Sequence, residues 1–171
     1  MNSNRKQKGF TLIELLIVVA IILIIAAIAI PNFIHSRMVA NEASAVASLR
    51  TINTAEVTYN NMYPGTFGNL TSLGPNAVPC VTPSVAGACL IDNLLSHAAT
   101  AATARSGYIF FVAAGATGTG TYTSEAEPAT AQTGTRGFCS DQNLVLYYVA
   151  VGIPGVPAGA CTVGGGTQLY L

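Results

Sequence analysis

A single acidic residue lies at the start of a long apolar stretch, and its chemistry calls for a partner. Glu14 comes directly before residues 15–30, which are sixteen consecutive apolar side chains. A carboxylate inside a membrane is costly unless it is paired, so we treat Glu14 as a functional residue. No basic residue follows within one helical turn. A cut between Gly9 and Phe10 would create an N-terminal ammonium at the same depth, and that amine is able to pair with Glu14 of a neighbouring chain.

The sequence contains none of the common catalytic motifs. G-x-S-x-G, H-E-x-x-H and a P-loop lysine are all absent. No lysine follows the glycine-rich residues 115–120, so we predict a turn there rather than a phosphate-binding loop. His35 and His97 are isolated in sequence, and we interpret them as structural or solvated. We therefore predict no catalytic residue and no cofactor.

The composition narrows the class of protein further. The chain has 171 residues, of which 51% are hydrophobic and 8% are charged, with seven Lys plus Arg against seven Asp plus Glu. A soluble domain typically has about 25% charged residues. These values disfavour a basic nucleic-acid binder, a charge-rich coiled coil and a freely soluble cytoplasmic enzyme. No lysine follows Lys8, so we expect no strong nucleic-acid binding from the part of a single chain that follows the apolar stretch.

The apolar stretch has the length of a membrane span. As a helix, residues 10–30 would extend roughly 30 Å, the thickness of the hydrocarbon core of a bilayer. The basic residues Arg5, Lys6 and Lys8 precede the stretch and predict a cytoplasmic N-terminus. A cleaved secretory signal peptide is the alternative. The apolar run is too long for one, and no A-x-A pattern follows it closely.

The residues that lie just before the apolar run, together with its first residues, resemble those of a known family. Lys8-Gly9-Phe10-Thr11-Leu12-Ile13-Glu14, followed by the apolar run, resembles the prepilin-type leader of type IV pilins and of type II secretion pseudopilins. The resemblance implies that a peptidase cleaves after Gly9, that Phe10 becomes the methylated N-terminus, and that Glu14 guides assembly. The implied partners are identical subunits in a helical filament, the prepilin peptidase, the pilus assembly machinery and, before assembly, the bacterial inner membrane.

The resemblance also implies an architecture. We expect an α+β fold in which the second half of a long N-terminal helix packs on a small antiparallel β-sheet head. The predicted regions are a leader over residues 1–9, a helix over 10–60 with its membrane and assembly segment at 10–34, and a head over 61–171. Pro31 lies inside this helix and predicts either a kink or local unwinding.

The second part of the predicted helix has an incomplete apolar face. The residues predicted to form this face are Met38, Val39, Val46, Leu49, Ile52 and Val57. Glu42 and Arg50 interrupt it, while the opposite side carries small residues rather than charges. We therefore expect the helix to contact its own head on one side and neighbouring helices on the other. Tyr63-Pro64-Gly65 predicts its end.

The remaining sequence predicts a connector followed by strands. We expect a short helix over residues 89–102 and strands over 107–114, 120–124 and 143–151, with a possible last strand within 152–171. Residues 108–112 and 144–148 are almost entirely apolar, which predicts central rather than edge strands. Short strands without long helices between them favour an antiparallel sheet.

Four cysteines, Cys80, Cys89, Cys139 and Cys161, all follow the predicted membrane segment. An even number in an oxidising compartment favours disulfides, with three possible connectivities. Nearness in sequence suggests Cys80–Cys89 and Cys139–Cys161, and the second pair resembles the C-terminal disulfide loop of many type IV pilins. No C-x-x-C occurs, which disfavours a metal site.

Because some pseudopilins bind calcium near the C-terminal sheet, Asp92 together with residues 141–143 leaves a calcium loop as an alternative. We nevertheless predict no metal. The sequence as a whole predicts a structural subunit of a type IV pilus-like extracellular filament. A minor pilin or a type II secretion pseudopilin is the first alternative, and a membrane-tethered periplasmic enzyme is the second.

Overall fold

The computed structural model describes residues 9–80, 82–115, 118, 120–150 and 167–168. Contacts within the chain divide it into two compact units, Met1–Ser36 and Arg37–Leu171. The first helix, α1, spans Leu12–Met62 and contributes residues to both units.

The end of α1 matches the turn signal in the sequence. The helix stops at Met62, and Tyr63-Pro64-Gly65 follows it. Pro64 has no N–H to continue the helical hydrogen bonds. Gly65 has a φ of 81°, in the left-handed region that glycine adopts most readily. The predicted helix end is therefore confirmed.

The buried face of α1 differs from the predicted apolar face. Leu49 and Ile52 are fully buried, as expected, but Val39 and Val57 are 49% and 43% exposed. Polar residues occupy part of the buried face instead: Glu42, Ser48, Asn53 and Glu56. The prediction was wrong at these positions because it grouped side chains by polarity. Glu42, Asn53 and Glu56 find hydrogen-bond partners in the head, and Ser48 bonds to a carbonyl of its own helix.

Two short helices lie in the connector, α2 at Leu70–Leu73 and α3 at Asn93–Ser96. Helix α2 was not predicted from the sequence. The helix predicted over residues 89–102 was wrong in length, because α3 covers only Asn93–Ser96. The carboxylate of Asp92 caps the start of α3 by accepting the N–H of Leu95 at 2.8 Å. Beyond α3, the carbonyl of Ala98 accepts the N–H of Phe110 at 2.7 Å. This bond to a strand holds the backbone at residue 98 outside a helix.

Five strands form one antiparallel sheet in the order β1-β2-β3-β4-β5. Their bounds are Tyr108–Ala114, Tyr122–Pro128, Arg136–Asp141, Leu146–Ala150 and Thr167–Gln168. The predicted α+β class with an antiparallel head is confirmed. Strand β2 runs past the predicted end at residue 124. Strand β3, a short segment of mixed polarity, was not predicted.

The prediction that β1 is a central strand was wrong, because β1 lies at one edge of the sheet. The chain that precedes it protects this edge. Arg105 and Tyr108 exchange two backbone hydrogen bonds of 2.9 Å, and Phe110 donates to Ala98. A covered edge tolerates an apolar strand because its backbone groups are already paired. Strand β4 lies inside the sheet, as predicted, but begins at Leu146, since a turn anchored by Asp141 occupies residues 141–144.

The core lies between α1 and one face of the sheet. Its larger members are Leu49, Ile52, Tyr59, Leu73, Leu95, Tyr108, Phe110, Phe138 and Leu146. Tyr108 and Phe110, two residues apart on β1, both belong to this core, as the two-residue period of a strand requires. This packing confirms that the second part of the helix is the part held by the head.

Candidate functional site

The start of α1 gives the Glu14 carboxylate a partner that the sequence reading missed. Glu14 Oε2 accepts the Thr11 N–H at 2.9 Å and the Thr11 hydroxyl, while the Glu14 N–H donates to Thr11 Oγ1 at 3.3 Å. These reciprocal bonds form a capping box, in which two free backbone N–H groups at a helix start are both satisfied. The Thr11-x-x-Glu14 pattern was the available signal. Thr11 is a neutral partner, so the box leaves the charge of Glu14 uncompensated.

The residues on either side of the predicted cleavage point are accessible. A side chain added at Gly9 would have no heavy atom within 4 Å, and Phe10 is 80% exposed. The helix begins only at Leu12, so the Gly9–Phe10 bond lies in chain outside any helix or strand. Lys8, which begins the motif, lies outside the described residues.

Among the described residues, α1 alone is long and apolar enough to cross a membrane, and none of its most apolar eighteen-residue window is buried. The helix continues without interruption through Pro31. The local unwinding that we considered at Pro31 is therefore absent from α1 as described. The alternative, a kink, stays a prediction.

A cluster around Glu42 ties α1 to the loop between β2 and β3. Glu42 Oε1 accepts both the N–H and the hydroxyl of Thr135 at 3.0 Å, and Glu42 Oε2 lies 3.3 Å from Arg136 Nε. One residue earlier, Asn41 Nδ2 donates to the Thr133 carbonyl at 2.9 Å. The Arg136 guanidinium also lies 5.5 Å from the centre of the Tyr148 ring, within the range of a cation–π contact. The Glu42 carboxylate is thus buried but fully paired.

A second polar cluster lies in the middle of the helix–sheet interface. Asn53 Nδ2 donates to Ser140 Oγ at 2.7 Å, and Asn53 Oδ1 accepts the hydroxyls of Ser124 at 3.1 Å and Tyr122 at 3.2 Å. Asn53 is 5% exposed, and both serines are fully buried. The amide therefore joins α1 to β2 and β3 at one fixed position.

Two cysteines form the disulfide that sequence nearness suggested. Cys80 and Cys89 are bonded, with a Cα–Cα distance of 6.2 Å. Cys139 in β3 is also disulfide-bonded. Cys161 lies outside the described residues, so its pairing with Cys139 stays a prediction.

The acids considered for a calcium loop are used locally. Burial alone would raise the pKa of Asp92, but hydrogen bonds from Arg105 and Leu95 outweigh it and lower that pKa. The two oxygens of Asp141 accept the backbone and side-chain N–H groups of Asn143 at 2.9 and 3.1 Å. In the part of the chain that the structure describes, no three His, Cys, Asp or Glu residues form a group able to hold a metal ion.

Residues 4–30 match the protein family described as "prokaryotic N-terminal methylation motif". The type IV wide pilus major component PilA4 of Thermus thermophilus is 44% identical over 88 residues, which are 49% of this chain and 67% of that protein. The chain belongs to the type IV pilin and pseudopilin family. The type IV major pilin protein PilA of Myxococcus xanthus is 50% identical over 56 residues, 33% of this chain and 26% of that pilin.

Pseudopilins are among the relatives too. The type II secretion system core protein G of Aeromonas hydrophila is 35% identical over 81 residues, 44% of this chain and 57% of that pseudopilin. The chain thus spans about two thirds of the Thermus pilin and smaller parts of the other two relatives. No solved structure matches the chain.

Proposed function

We propose that this chain is a structural subunit of a type IV pilus-like extracellular filament, made as an inner-membrane precursor that is cleaved after Gly9 and N-methylated on Phe10. The observation that carries the proposal is the combination of an accessible Gly9–Phe10 bond with an exposed apolar helix that begins two residues later. Such a helix needs a bilayer before assembly and other apolar helices afterwards, because its surface is unsuited to water.

In the proposed assembly, Glu14 pairs with the N-terminal amine of a neighbouring subunit. The capping box uses only Oε2 of the carboxylate. Oε1 accepts no hydrogen bond from the described residues, so it is free to accept one from a second, charged partner. Cleavage before Phe10 supplies that partner as an ammonium at nearly the same depth. The attraction is strong in an apolar filament core, although the desolvation of both groups offsets much of it.

The N-terminal sequence and the mass of the protein in sheared surface fibres test the proposal. We expect a chain that begins at Phe10 and carries one additional methyl group. Surface fibres that contain a chain beginning at Met1, or at any residue other than Phe10, would contradict it. A control preparation from cells that lack prepilin peptidase activity should yield only the uncleaved chain in membranes.

A type II secretion pseudopilin is the second candidate, and the match to core protein G of Aeromonas hydrophila favours it. A pseudopilin would be cleaved and methylated in the same way but would stay in short periplasmic filaments. The amount of protein in sheared fibres separates the two, since only a pilin accumulates outside the cell.

The remaining alternative, a membrane-tethered enzyme, has less support than a pilin or a pseudopilin. The shallow groove along α1, with a volume of about 390 Å³, is lined by Arg50, Asn53, Thr54, Val57, Thr58 and Leu144. These residues include no general base and no activated nucleophile, which acyl-transfer and hydrolytic sites need.

A further inference from the structure

One buried carboxylate of the head is nearly without partners. The Glu56 side chain on α1 is fully buried. Its Oε2 accepts the N–H of Gly68 at 2.9 Å, whereas its buried Oε1 has no hydrogen-bond partner among the described residues. Glu42, on the same helix, has three hydrogen-bonding and ionic contacts for its carboxylate. The two acids thus provide a contrast between a satisfied and an unsatisfied buried carboxylate.

The surroundings of Glu56 do not compensate a negative charge. Burial raises its pKa to about 7, and the hydrogen bond from Gly68 only partly opposes this shift. The titratable groups that sense its charge are two phenols, Tyr59 on α1 and Tyr122 on β2. Burial raises the pKa of both tyrosines, and the neighbouring Glu56 carboxylate raises them further. In the described part of the chain, no cationic side chain contributes to the pKa of Glu56, so protonation is the means of neutralising this group.

The bond from Gly68 connects the carboxylate to the loop between α1 and α2, whose first residue, Tyr63, places its ring 4.9 Å from that of Tyr59 and whose last residue, Asn69, caps α2. This loop, residues 63–69, joins α1 to α2. Asn60 Nδ2 donates to the Thr66 carbonyl, and the Gly65 carbonyl accepts the Gly118 N–H, both at 2.9 Å. The ring of Phe67, which is half-buried, lies 4.8 Å from that of Tyr122. The Glu56–Gly68 bond is a buried contact of this loop, made to a carboxylate that can gain or lose a proton.

We propose that Glu56 is a proton-controlled latch that keeps the loop of residues 63–69 closed when its carboxyl group is protonated and releases the loop when it is ionised. A protonated carboxyl group still accepts the Gly68 N–H through its carbonyl oxygen, and it can remain buried without a counter-ion. An ionised carboxylate needs further hydrogen bonds, and water reaches Oε1 only if the loop moves away. The latch lies within the head and works whether or not the chain assembles into filaments.

Amide hydrogen exchange of the full chain in detergent micelles, combined with ¹³C NMR of the Glu56 carboxyl carbon, tests the latch. We expect the carboxyl signal to titrate near pH 7 rather than near the ordinary glutamate value. If an open loop restores that ordinary value, protection of the Gly68 N–H, corrected for intrinsic exchange, should fall by up to about 70-fold between pH 5 and 8. The Leu95 N–H is the internal reference, because its acceptor Asp92 has a lowered pKa and stays ionised throughout.

Two variants separate the latch from a purely structural role. Glu56→Gln keeps the shape and an acceptor for Gly68 but cannot ionise, so its Gly68 protection should not depend on pH. Glu42→Gln changes the paired acid on the same helix and should keep the wild-type profile at Gly68. A carboxyl titration near pH 4.5, or constant protection of Gly68 in the wild-type chain, overturns the proposal. Both are measured on the unmodified chain, so the test stands even if Glu56→Gln does not fold.

Discussion

Replacing Asn53 with alanine should cost the head a large part of its stability. The substitution removes three hydrogen bonds at the helix–sheet interface, those with Ser140 Oγ, Ser124 Oγ and the Tyr122 hydroxyl. A typical hydrogen bond contributes about 1 kcal/mol net to the free energy of unfolding. Ser124 keeps a long contact of 3.5 Å to the Ser140 carbonyl. The Tyr122 hydroxyl, in contrast, is left buried without this acceptor, which adds about 1–2 kcal/mol.

The expected loss in the free energy of unfolding is therefore about 4–5 kcal/mol, set against a total of roughly 5–15 kcal/mol for a typical domain. Urea unfolding of the full chain in detergent, followed by near-ultraviolet circular dichroism of the tyrosines, measures it. A double-mutant cycle with Ser140→Ala should give a coupling energy of about 1 kcal/mol, because the two side chains contact each other directly.

Thr54→Ala is the matched control, since Thr54 is the next residue on the helix and is exposed. Among the described residues, its hydroxyl bonds only to the Arg50 carbonyl of its own helix, at 3.0 Å, so the change should stay within about 0.5 kcal/mol. If Asn53→Ala is no more destabilising than Thr54→Ala, the buried amide does not fix the helix on the sheet and our reasoning is wrong.

Three further predictions concern processing, assembly and oxidation. Gly9→Leu should block cleavage, because a peptidase site shaped for glycine has no room for the side chain; immunoblots should show the larger precursor, and efficient processing would count against the motif. Glu14→Val should leave a cleaved, membrane-held monomer with few surface fibres, since the carboxylate is proposed to act only in assembly; a normal fibre yield at native expression rejects the pairing. Alkylation of native, unreduced protein should modify none of the four cysteines, and mass spectrometry that finds any labelled thiol refutes full pairing.

The sequence predicted the features that depend on local chemistry. The end of α1 follows from a proline and a left-handed glycine beside it, and the Cys80–Cys89 bond follows from nearness in the chain. The glycine-rich residues 115–120 were predicted to form a turn, and the described residues among them lie between β1 and β2, where Gly115 donates to the Thr121 carbonyl at 2.8 Å.

The features that depend on distant partners were not predictable in the same way. Glu42 and Arg50 were predicted to interrupt an apolar face, yet Glu42 is buried, because Thr135, far along the sequence, donates to its carboxylate. Glu56 was not considered in the prediction, and it is buried as well, with the Gly68 N–H donating to it. Strand β1 has the composition of a central strand but lies at an edge. On its outer side, the irregular connector at Ala98 and Arg105 takes the place of a neighbouring strand. No periodic sequence pattern predicts hydrogen bonds between a strand and an irregular segment.

These buried polar groups explain how a helix without a clean apolar stripe can be fixed on its head. Glu42 bonds to the β2–β3 loop, Asn53 to the middle of the sheet, and Glu56 to the loop after the helix. Each partner lies on a different part of the head, so a shift of α1 by one turn would break the hydrogen bonds of all three groups. Apolar contacts alone penalise such a shift less, because they are not directional.

On the opposite side of α1, the exposed Thr51 and Thr54 satisfy their hydroxyls within the helix, at the carbonyls of Ala47 and Arg50. The helix is thus held in one register by hydrogen bonds on its buried side, while the hydroxyls of Thr51 and Thr54 on its exposed side need no partner from a neighbouring chain in the proposed filament.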